Sequence, residues 1–467
     1  MLQKTTLYLA VGCLLLSGCN STSEIASDYR SNINVPTHWQ KDEQSKPIKI
    51  EWLAQFQNPQ LHALVSHALQ NNHALTQQQL AVESARQQLI ISGSALWPTL
   101  DLSFDSSKRR TSREGAIASS QSLDLSIKYE LDLWGKLSAN EQRANLVFMA
   151  QQATYLQQQY ELVAHVITAW FSVIEANQQQ ALLVERVALV AQNLDIIESG
   201  YQKGLNSALD VYLARSEYNN EQAKVESQHA VQLNTVRELE RLVGHYPAGV
   251  IAVDADLTLL KSDVSFGLPS ELITRKPQLV ASWYQLLAKD AELAYAHKQR
   301  FPSINLNMGY GFNHDELGQL LSGSALGWSL LAGMTAPIFN AGKLAANEAI
   351  AHIELKRTEQ NYLNTLQDAF LAVENAITAE DSLQARYQQT RDAADHAQFA
   401  QLLSFEQYLK GLSTYTTVLD AQKRSFEAQS NLISIKKQLL TNRVALHVAL
   451  GGDFQLTHYE EVPHENN

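Results

Sequence analysis

The sequence predicts a mainly α-helical fold with a smaller β component, built from two similar halves. The ten prolines leave 99–246 and 338–462 free of proline, which permits long uninterrupted helices. Shorter segments alternate apolar and polar residues with the period of a β-strand. The chain also matches itself at an offset of 207 residues. Such a repeat indicates one fold written twice, although the length alone would suggest about three domains.

The N-terminus has the layout of a secretory signal. Lys4 precedes an apolar run over 7–16, which is too short to span a bilayer. The run ends in Leu-Ser-Gly-Cys at 16–19, which resembles a bacterial lipobox. This predicts a lipoprotein signal peptide over 1–18, a lipid such as palmitate on Cys19, and an N-terminal tether over 19–58. The alternative is an ordinary signal with an incidental cysteine.

Bulk composition excludes several classes of protein. Against 48 acidic residues there are 36 Lys and Arg, so the net charge is −12, which argues against nucleic-acid binding. Cys13 and Cys19 are the only cysteines, which excludes a disulfide framework and a Cys-based metal site. No later segment has about 18 consecutive apolar residues, so a membrane crossing would have to use β-strands.

The internal match keeps one register across separated patches. Residues 135–141 align with 342–348, while Trp97 with its following proline aligns with Phe301 and its proline at an offset of 204. Each half is predicted to run helix, β-hairpin, long helix, helix. The predicted divisions are a first structural repeat over 59–260, a second over 268–455 and a C-terminal tail over 456–467.

Three helices are predicted in the first half. Residues 60–95 form a helix that ends at Trp97-Pro98, because proline stops a helix. Residues 137–200 carry apolar side chains every seven residues, which indicates coiled-coil packing over about 96 Å. Gly204 ends this helix, and the next runs over 207–243 to a second glycine. Laid end to end, the first and third helices match the long one in length.

Alternating apolar residues predict the strands. In the first half they cover 100–104 and 123–133, joined by a long polar loop over 105–121. In the second half they cover 304–312 and 328–336, with small or polar residues between. Such strands suit a barrel with lipid outside and water inside, although a half-buried soluble sheet has the same alternation.

Four strands cannot close a barrel in lipid, where every edge must pair. The chain is therefore expected to be an oligomer. Three copies would supply twelve strands and twelve helical rods. Three is the number that the family resemblance described next implies: a trimeric α-helical barrel with a twelve-stranded transmembrane β-barrel, to which each chain contributes four strands.

Several motifs together identify a family. They are Tyr-Glu-Leu-Asp-Leu-Trp-Gly-Lys at 129–136, Pro-Ile-Phe-Asn-Ala-Gly at 337–342, two Tyr-x-x-Gly turns, Leu-Gly-Gly at 450–452 and the lipobox. Over about 50–452 the chain resembles the TolC-like, NodT-type outer-membrane efflux lipoproteins. One departure is Arg-Lys-Pro-Gln at 275–278, where the family has Arg-Arg-Pro-Asp, so altered local contacts are expected there.

The resemblance implies a homotrimeric channel-tunnel in the outer membrane of a Gram-negative bacterium, extending into the periplasm. It would dock with a periplasmic adaptor and an inner-membrane pump of the RND type, and export drugs, toxic compounds or metal ions. It implies no enzymatic activity and no cofactor beyond the lipid on Cys19. In agreement, the sequence lacks a zinc-protease motif, a phosphate-binding loop and a nucleophile elbow.

The resemblance also implies a periplasmic gate at the two helix-pair turns, Gly204 and Gly411. Asp420 matches an aspartate that forms a ring at the constriction, where three carboxylates would select for cations. Thr417 occupies the place of a second aspartate in some relatives, and Ser413 that of an arginine. A less charged gate is therefore expected.

Asp210 and Tyr408 match residues that link neighbouring helix pairs and hold the pore shut in relatives. The competing interpretation of Asp210 and Asp420 is a solvated polar face near a helix start, where Asp is common.

Two further groups of polar residues also have a simple interpretation as solvent-exposed side chains. Lys108, Arg109, Arg110 and Arg113 are predicted to lie in the first hairpin loop, facing either lipopolysaccharide or only solvent. His62 and His67, five apart, do not share a helix face and are interpreted as surface residues, so no metal site is predicted.

A second class of protein fits the heptads and the lipobox, namely a periplasmic coiled-coil lipoprotein or an adaptor. An adaptor should carry a Gly-rich lipoyl-like β-domain between paired helices, which the sequence lacks. The duplicated hairpins before each long helix favour the channel.

Overall fold

The computed structural model describes residues 33–40, 56, 58–110, 117–259 and 267–452. The predicted signal peptide, Cys19, Arg113 and the tail over 456–467 lie outside these residues. The chain divides into two compact units. Of the described residues, unit 1 comprises 33–34, 81–110, 117–152 and 281–364, and unit 2 comprises 35–40, 56, 58–80, 153–259, 267–280 and 365–452.

The same order of elements occurs twice within the described residues. The first series is α1 (Pro59–Asn71), α2 (His73–Ser94), β1 (Thr99–Arg110), β2 (Ile117–Leu131), α3 (Lys136–Gln202) and α4 (Ala208–Val243). The second is α5 (Pro269–Arg275), α6 (Pro277–Lys298), β3 (Ser303–His314), β4 (Leu326–Thr335), α7 (Lys343–Leu409) and α8 (Tyr415–Ala449), with two single-turn 3-10 helices between its strands. The helix predicted over 137–200 is confirmed as α3, and both α3 and α7 have 67 residues.

Unit 1 contains an antiparallel sheet in the order β1-β2-β3-β4. Its register places apolar residues opposite one another in continuous rows across all four strands. The rows are Leu100–Ile127–Met308–Leu330, Leu102–Leu125–Tyr310–Trp328 and Phe104–Leu123–Phe312–Leu326. One face of the sheet is therefore apolar and the other is lined by small and polar residues, because successive side chains alternate between faces.

The predicted loop over 105–121 is wrong in most of its length. Strand β1 continues to Arg110 and β2 begins at Ile117, so residues 105–110 pair with 117–122. The basic side chains of Lys108 and Arg109 thus lie on a strand. The alternation of apolar residues stops at Phe104, but backbone pairing, which needs no apolar side chain, continues.

The helices of unit 1 pack around Leu286, Leu355 and Tyr362, which are almost fully buried. The indole of Trp134 stacks on Phe301 with ring centroids 5.4 Å apart, and its Nε1 donates to the Pro302 carbonyl at 2.8 Å. In the part of the chain that is described, no helix combines the length and the apolar character needed to cross a bilayer.

The main core of unit 2 joins α1, α3, α4 and α8. Its most buried members include Leu61, Val166, Ile167, Trp170, Val173, Leu239, Val243, Leu440 and Val444. In α3 these side chains recur at three- and four-residue spacing, which is the pattern the heptad predicts. The buried face of α3 therefore sets its side-by-side packing with α4.

The single helix predicted over 60–95 is instead interrupted at Asn72, whose backbone is extended with ψ 121°. Its side chain caps α2 by accepting from the Leu75 amide at 3.0 Å and donates to the Leu242 carbonyl at 2.8 Å. Neither proline nor glycine marks this break, so the sequence pattern missed it.

The second half has its break at Lys276, 204 residues later, again with extended backbone. Lys276 is buried and its Nζ donates to the Ala449 carbonyl at 3.4 Å. Burial lowers the pKa of this ammonium, while the charge of Glu161 opposes the shift. The sequence departure noted at 275–278 therefore lies at a helix break that contacts the end of α8.

Candidate functional site at the two helix-pair turns

The first turn, between α3 and α4, is closed by Gly204 in the left-handed conformation, with φ 74°. The Leu205 amide donates to the Gly200 carbonyl at 2.8 Å, and the Gly204 amide to the Tyr201 carbonyl at 2.9 Å. This pattern satisfies the last carbonyls of α3. The Asn206 side chain adds a hydrogen bond to the Ile197 carbonyl at 3.0 Å.

The second turn, between α7 and α8, has the same geometry. Gly411 has φ 71°, and the Leu412 amide donates to the Gln407 carbonyl at 2.9 Å. A Cβ added at Gly204 or Gly411 would meet nothing within 4 Å. Glycine is therefore required at both turns by backbone conformation and not by crowding.

Equivalent side chains cap the helices that follow the turns. Ser207 and Asp210 form a capping box on α4, in which each side chain accepts from the other residue's amide. In α8 Thr414 accepts from the Thr417 amide, and the two hydroxyls lie 3.0 Å apart. Thr417 is thus the counterpart of Asp210, 207 residues later, and its hydroxyl is used within its own turn.

An apolar cluster in unit 2 joins the two helix pairs beside the turns. Its buried part is formed by Ile197, Val211, Ala214, Tyr415 and Val418. The ring of Tyr408 packs against Tyr415 with centroids 5.4 Å apart. Because these residues come from α3, α4, α7 and α8, the cluster fixes one helix pair against the other at this position.

Within this cluster the structure brings together two of the predicted gate residues. The Tyr408 hydroxyl donates to Oδ2 of Asp210 at 3.3 Å. Partial burial, followed by the charge of Asp210, raises the pKa of Tyr408 to about 12, so the hydroxyl remains a donor at neutral pH. The neighbouring Tyr415 is buried, its hydroxyl has no hydrogen-bond partner, and burial raises its pKa as well.

The tyrosines of the two turns differ in their contacts, because the hydrogen bond that Tyr408 makes to Asp210 has no counterpart at Tyr201 among the described residues. Tyr201, the counterpart of Tyr408, is 49% exposed. Its expected acceptor would be Thr417, whose hydroxyl contacts Thr414 instead. Of these two equivalent tyrosines, Tyr408 is therefore the one whose hydroxyl joins the two helix pairs, through Asp210.

Asp420, the predicted ring residue, is exposed on the second turn of α8. It forms an ion pair with Arg424 one turn further along, with Oδ2 and Nε 2.8 Å apart. Both side chains are more than half exposed. The carboxylate is thus partly neutralised within its own helix, a feature that the sequence analysis did not anticipate although the spacing of four residues indicates it.

A buried ionic cluster further along the same helices was missed. Arg186 of α3 is 6% exposed and lies 2.9 Å from Glu217 and 2.7 Å from Glu221 of α4. Its guanidinium also lies over the ring of Phe426 on α8, 4.6 Å from the centroid. Arg186 therefore connects α3 and α4 to α8. Contacts between helices that are far apart in the sequence cannot be predicted from the local sequence pattern.

Comparison with models of known protein families identifies the family of this chain. Residues 64–245 and 268–452 match the family model described as outer membrane efflux protein. The chain belongs to this family.

Individual relatives agree with this assignment. The toluene efflux pump outer membrane protein TtgF of Pseudomonas putida is 29% identical, with 96% of this chain and 97% of the relative covered. A crystal structure of a membrane protein from Pseudomonas aeruginosa has a TM-score of 0.82 and 27% identity, covering 90% of this chain and 99% of the other. The CmeC outer membrane channel of Campylobacter jejuni shares the fold, with a TM-score of 0.86 at 21% identity over 93% and 95% of the two chains. The protein is an outer-membrane channel component of an efflux system in a Gram-negative bacterium.

Proposed function

We propose that three copies of this chain form a passive exit duct through the outer membrane, driven by an inner-membrane pump. The observation that carries this proposal is the sheet of unit 1. Its apolar rows extend across all four strands, and Leu102, Trp328 and Leu330 on that face are 66–75% exposed. An exposed apolar face of this extent suits lipid.

The edges of the sheet support a trimer. Among the described strands, β1 and β4 each pair on one side only. Unpaired edges are not tolerated in hydrocarbon, because each amide and carbonyl left unpaired costs free energy. Three sheets joined edge to edge would give a closed barrel of twelve strands, and the long helices would continue it as a helical barrel. The two repeats, over 59–260 and 268–455, are the units from which each protomer is built.

The remaining parts of the proposal concern partners and attachment. A tripartite assembly would include a periplasmic adaptor and a pump of the RND type, and the pump would supply the energy for export. The protein would catalyse no reaction. The signal over 1–18 would be removed and Cys19 acylated, leaving 19–58 as the tether.

We place the gate at the two turns. The hydrogen bond from Tyr408 to Asp210, supported by the aromatic cluster, would hold the helix pairs together in the closed state. Asp420 would line the constriction with Thr417 beside it, and Gly204 and Gly411 would allow the sharp reversal of each pair. Adaptor binding would open the duct by separating the pairs.

Membrane fractionation tests this proposal together with its alternative. An outer-membrane trimer should appear as a heat-modifiable band on gels, and the purified protein should conduct ions in planar bilayers. A periplasmic coiled-coil lipoprotein or an adaptor would give neither result. A monomer without conductance would therefore contradict the proposal, and globomycin-insensitive processing would contradict the lipid on Cys19 alone.

A further inference from the structure

Two histidines far apart in the sequence meet in unit 2. His67 lies on α1, and His245 follows the glycine that ends α4. Their Nε2 atoms are 3.3 Å apart, and their rings meet edge to face with centroids 4.4 Å apart. His67 and His245 are 178 positions apart, so the local sequence pattern, in which the neighbouring histidine is His62, does not indicate this pair.

The hydrogen-bond partner of Nδ1 determines which ring nitrogen of His67 carries the proton. Nδ1 lies 2.9 Å from the carbonyl oxygen of Val243. A carbonyl can only accept, so Nδ1 carries the proton, and in the neutral ring Nε2 presents its lone pair to His245. A histidine that donates one ring nitrogen to a backbone carbonyl and keeps the other free is the usual form of a metal ligand.

The backbone around the pair is held in place. Gly244 has φ 84°, and a Cβ added there would lie 2.6 Å from the carbonyl oxygen of Asn71. Ala68, which follows His67 on α1, and Val243, the last residue of α4, are both buried in the core. The close approach of α1 to the end of α4 therefore sets the separation of the two rings before any ligand arrives.

This separation fits a metal ion. With metal–nitrogen bonds of about 2.0–2.1 Å and a tetrahedral angle, two ligating nitrogens lie about 3.3–3.4 Å apart. The observed distance between the Nε2 atoms is 3.3 Å. His245 is exposed and His67 half-buried, so an ion can reach both.

We propose that His67 and His245 bind a divalent transition metal ion, Zn²⁺ or Cu²⁺, through their Nε2 atoms. As the ion binds, the proton that Nε2 of His245 donates to His67 moves to Nδ1 of the same ring, which frees the Nε2 lone pair. Imidazole ligands favour these ions over Mg²⁺ and Ca²⁺, which prefer oxygen. In the described part of the chain no group of three or more His, Cys, Asp or Glu residues is arranged to hold a metal. Water therefore completes the coordination, and the bound ion connects α1 to the segment after α4.

One neighbouring carboxylate is already occupied. Both carboxylate oxygens of Glu240 accept from backbone amides, at 2.6 Å from Gly249 and 2.6 Å from Val250. Glu240 is thus engaged in holding the segment that follows His245. This leaves a site with two protein ligands, weaker than the four-ligand structural zinc sites.

Isothermal titration calorimetry tests the site directly, with tag-free full-length protein in a buffer without chelators and Zn²⁺ as the probe. The wild-type protein should bind one ion per chain at this site. His245→Ala and His67→Ala should each weaken binding by at least about tenfold, which is the smallest loss seen when even a supporting partner of a ligand is removed. The double variant should be no worse than either single one, because both residues hold the same ion.

His73→Ala provides the matched control, since His73 is an exposed histidine at the start of α2, six positions from His67. It should bind Zn²⁺ as the wild type does. His245 lies outside a helix and is exposed, so His245→Ala is decisive even if His67→Ala folds poorly. With Cu²⁺, electron spin-echo modulation should report two imidazole nitrogens in the wild type and one in His245→Ala.

Two results would overturn the proposal. One is Zn²⁺ binding that is unchanged in His245→Ala, which would locate the ion elsewhere. The other is the absence of binding in the wild type, which would leave a hydrogen bond between the two histidines and nothing more. Neither result would affect the proposed channel, because conductance and trimer formation do not depend on this site.

Discussion

The hydroxyl of Tyr408 donates a hydrogen bond to the carboxylate of Asp210 across 198 positions of sequence, at 3.3 Å. The bond joins the end of α7 to the first turn of α4. The same Oδ2 atom accepts from the Ser207 amide within the capping box. The link between helix pairs and the cap of α4 therefore depend on one oxygen atom, so a substitution at Asp210 would disturb both.

Tyr408→Phe removes the link between the helix pairs without disturbing the cap of α4. It deletes the hydroxyl that bonds to Asp210 and leaves the ring in the aromatic cluster. A hydrogen bond to a charged group contributes about 1.5–3 kcal/mol. If this bond holds the closed state, its loss should raise the open probability in planar bilayers by about tenfold or more. The stability of the folded protein should fall by no more than this contribution, since the capping box and the ring packing are retained.

Tyr201→Phe is the matched control for this experiment. It alters the equivalent position of the first turn, where the side chain is largely exposed. Its conductance should equal that of the wild type. Equal opening in both variants would show that the hydroxyl of Tyr408 plays no part in closure.

Asp420→Ala and Arg424→Ala should shift ion selectivity in opposite directions. Removing the carboxylate should reduce preference for cations, whereas removing the guanidinium 2.8 Å away should increase it. Reversal potentials under a salt gradient measure both. Selectivity that is identical in the two variants would place Asp420 away from the constriction.

The sequence pattern predicted those features that are determined locally. Helix α3 was predicted within a few residues, because a heptad maintained over 64 residues has no other stable arrangement, and both turn glycines were identified because left-handed backbone favours glycine. Strand β1 beyond Phe104 was missed because its residues have no apolar alternation there. The break at Asn72 was missed because neither proline nor glycine is present there. The break is stabilised by the hydrogen bonds of the buried Asn72 side-chain amide.

In the candidate site, too, features set by neighbouring residues could be predicted from the sequence, whereas contacts between distant residues could not. The capping residue Ser207 follows from its spacing to the turn glycine. The bond between Tyr408 and Asp210 was expected only by resemblance, since nothing in the pattern of the sequence relates two residues 198 positions apart. The clusters around Arg186 and His67 had no such guide, and they became visible only when the helices were packed together.

Glu221→Ala should lower the stability of the protein strongly. Glu221 is fully buried and 2.7 Å from the buried Arg186. Breaking a buried ion pair costs about 3–5 kcal/mol, and because Glu217 still pairs with Arg186 after the substitution, we expect a loss at the lower end of this range. Thermal unfolding followed by circular dichroism should show the lower midpoint.

The exposed pair of Glu198 and Arg215, which lies on the same two helices, is the comparison. Glu198→Ala should cost less than about 1 kcal/mol, because water screens an exposed ion pair. If both substitutions lower the midpoint equally, the cluster around Arg186 contributes nothing beyond a surface ion pair.

His447 should make the protein less stable in acid. Burial, with smaller effects of Arg443 and Arg275, lowers the pKa of this histidine from 6.5 to about 4. As the pH falls below 6.5 the unfolded chain takes up a proton that the folded protein refuses, so stability is present above pH 6.5 and is lost as the pH approaches 4. His447→Gln should unfold with a weaker dependence on pH in this range. An unchanged pH dependence would show that other groups govern the loss in acid.

We propose that the chain forms an outer-membrane duct that the two helix-pair turns close. Single-channel recording of the purified protein in planar bilayers is the decisive measurement, with wild type, Tyr408→Phe and Tyr201→Phe compared at equal insertion. We expect a rarely open wild-type channel, a frequently open Tyr408→Phe channel and a Tyr201→Phe channel like the wild type. Failure of all three proteins to conduct, despite insertion as folded trimers, would contradict it.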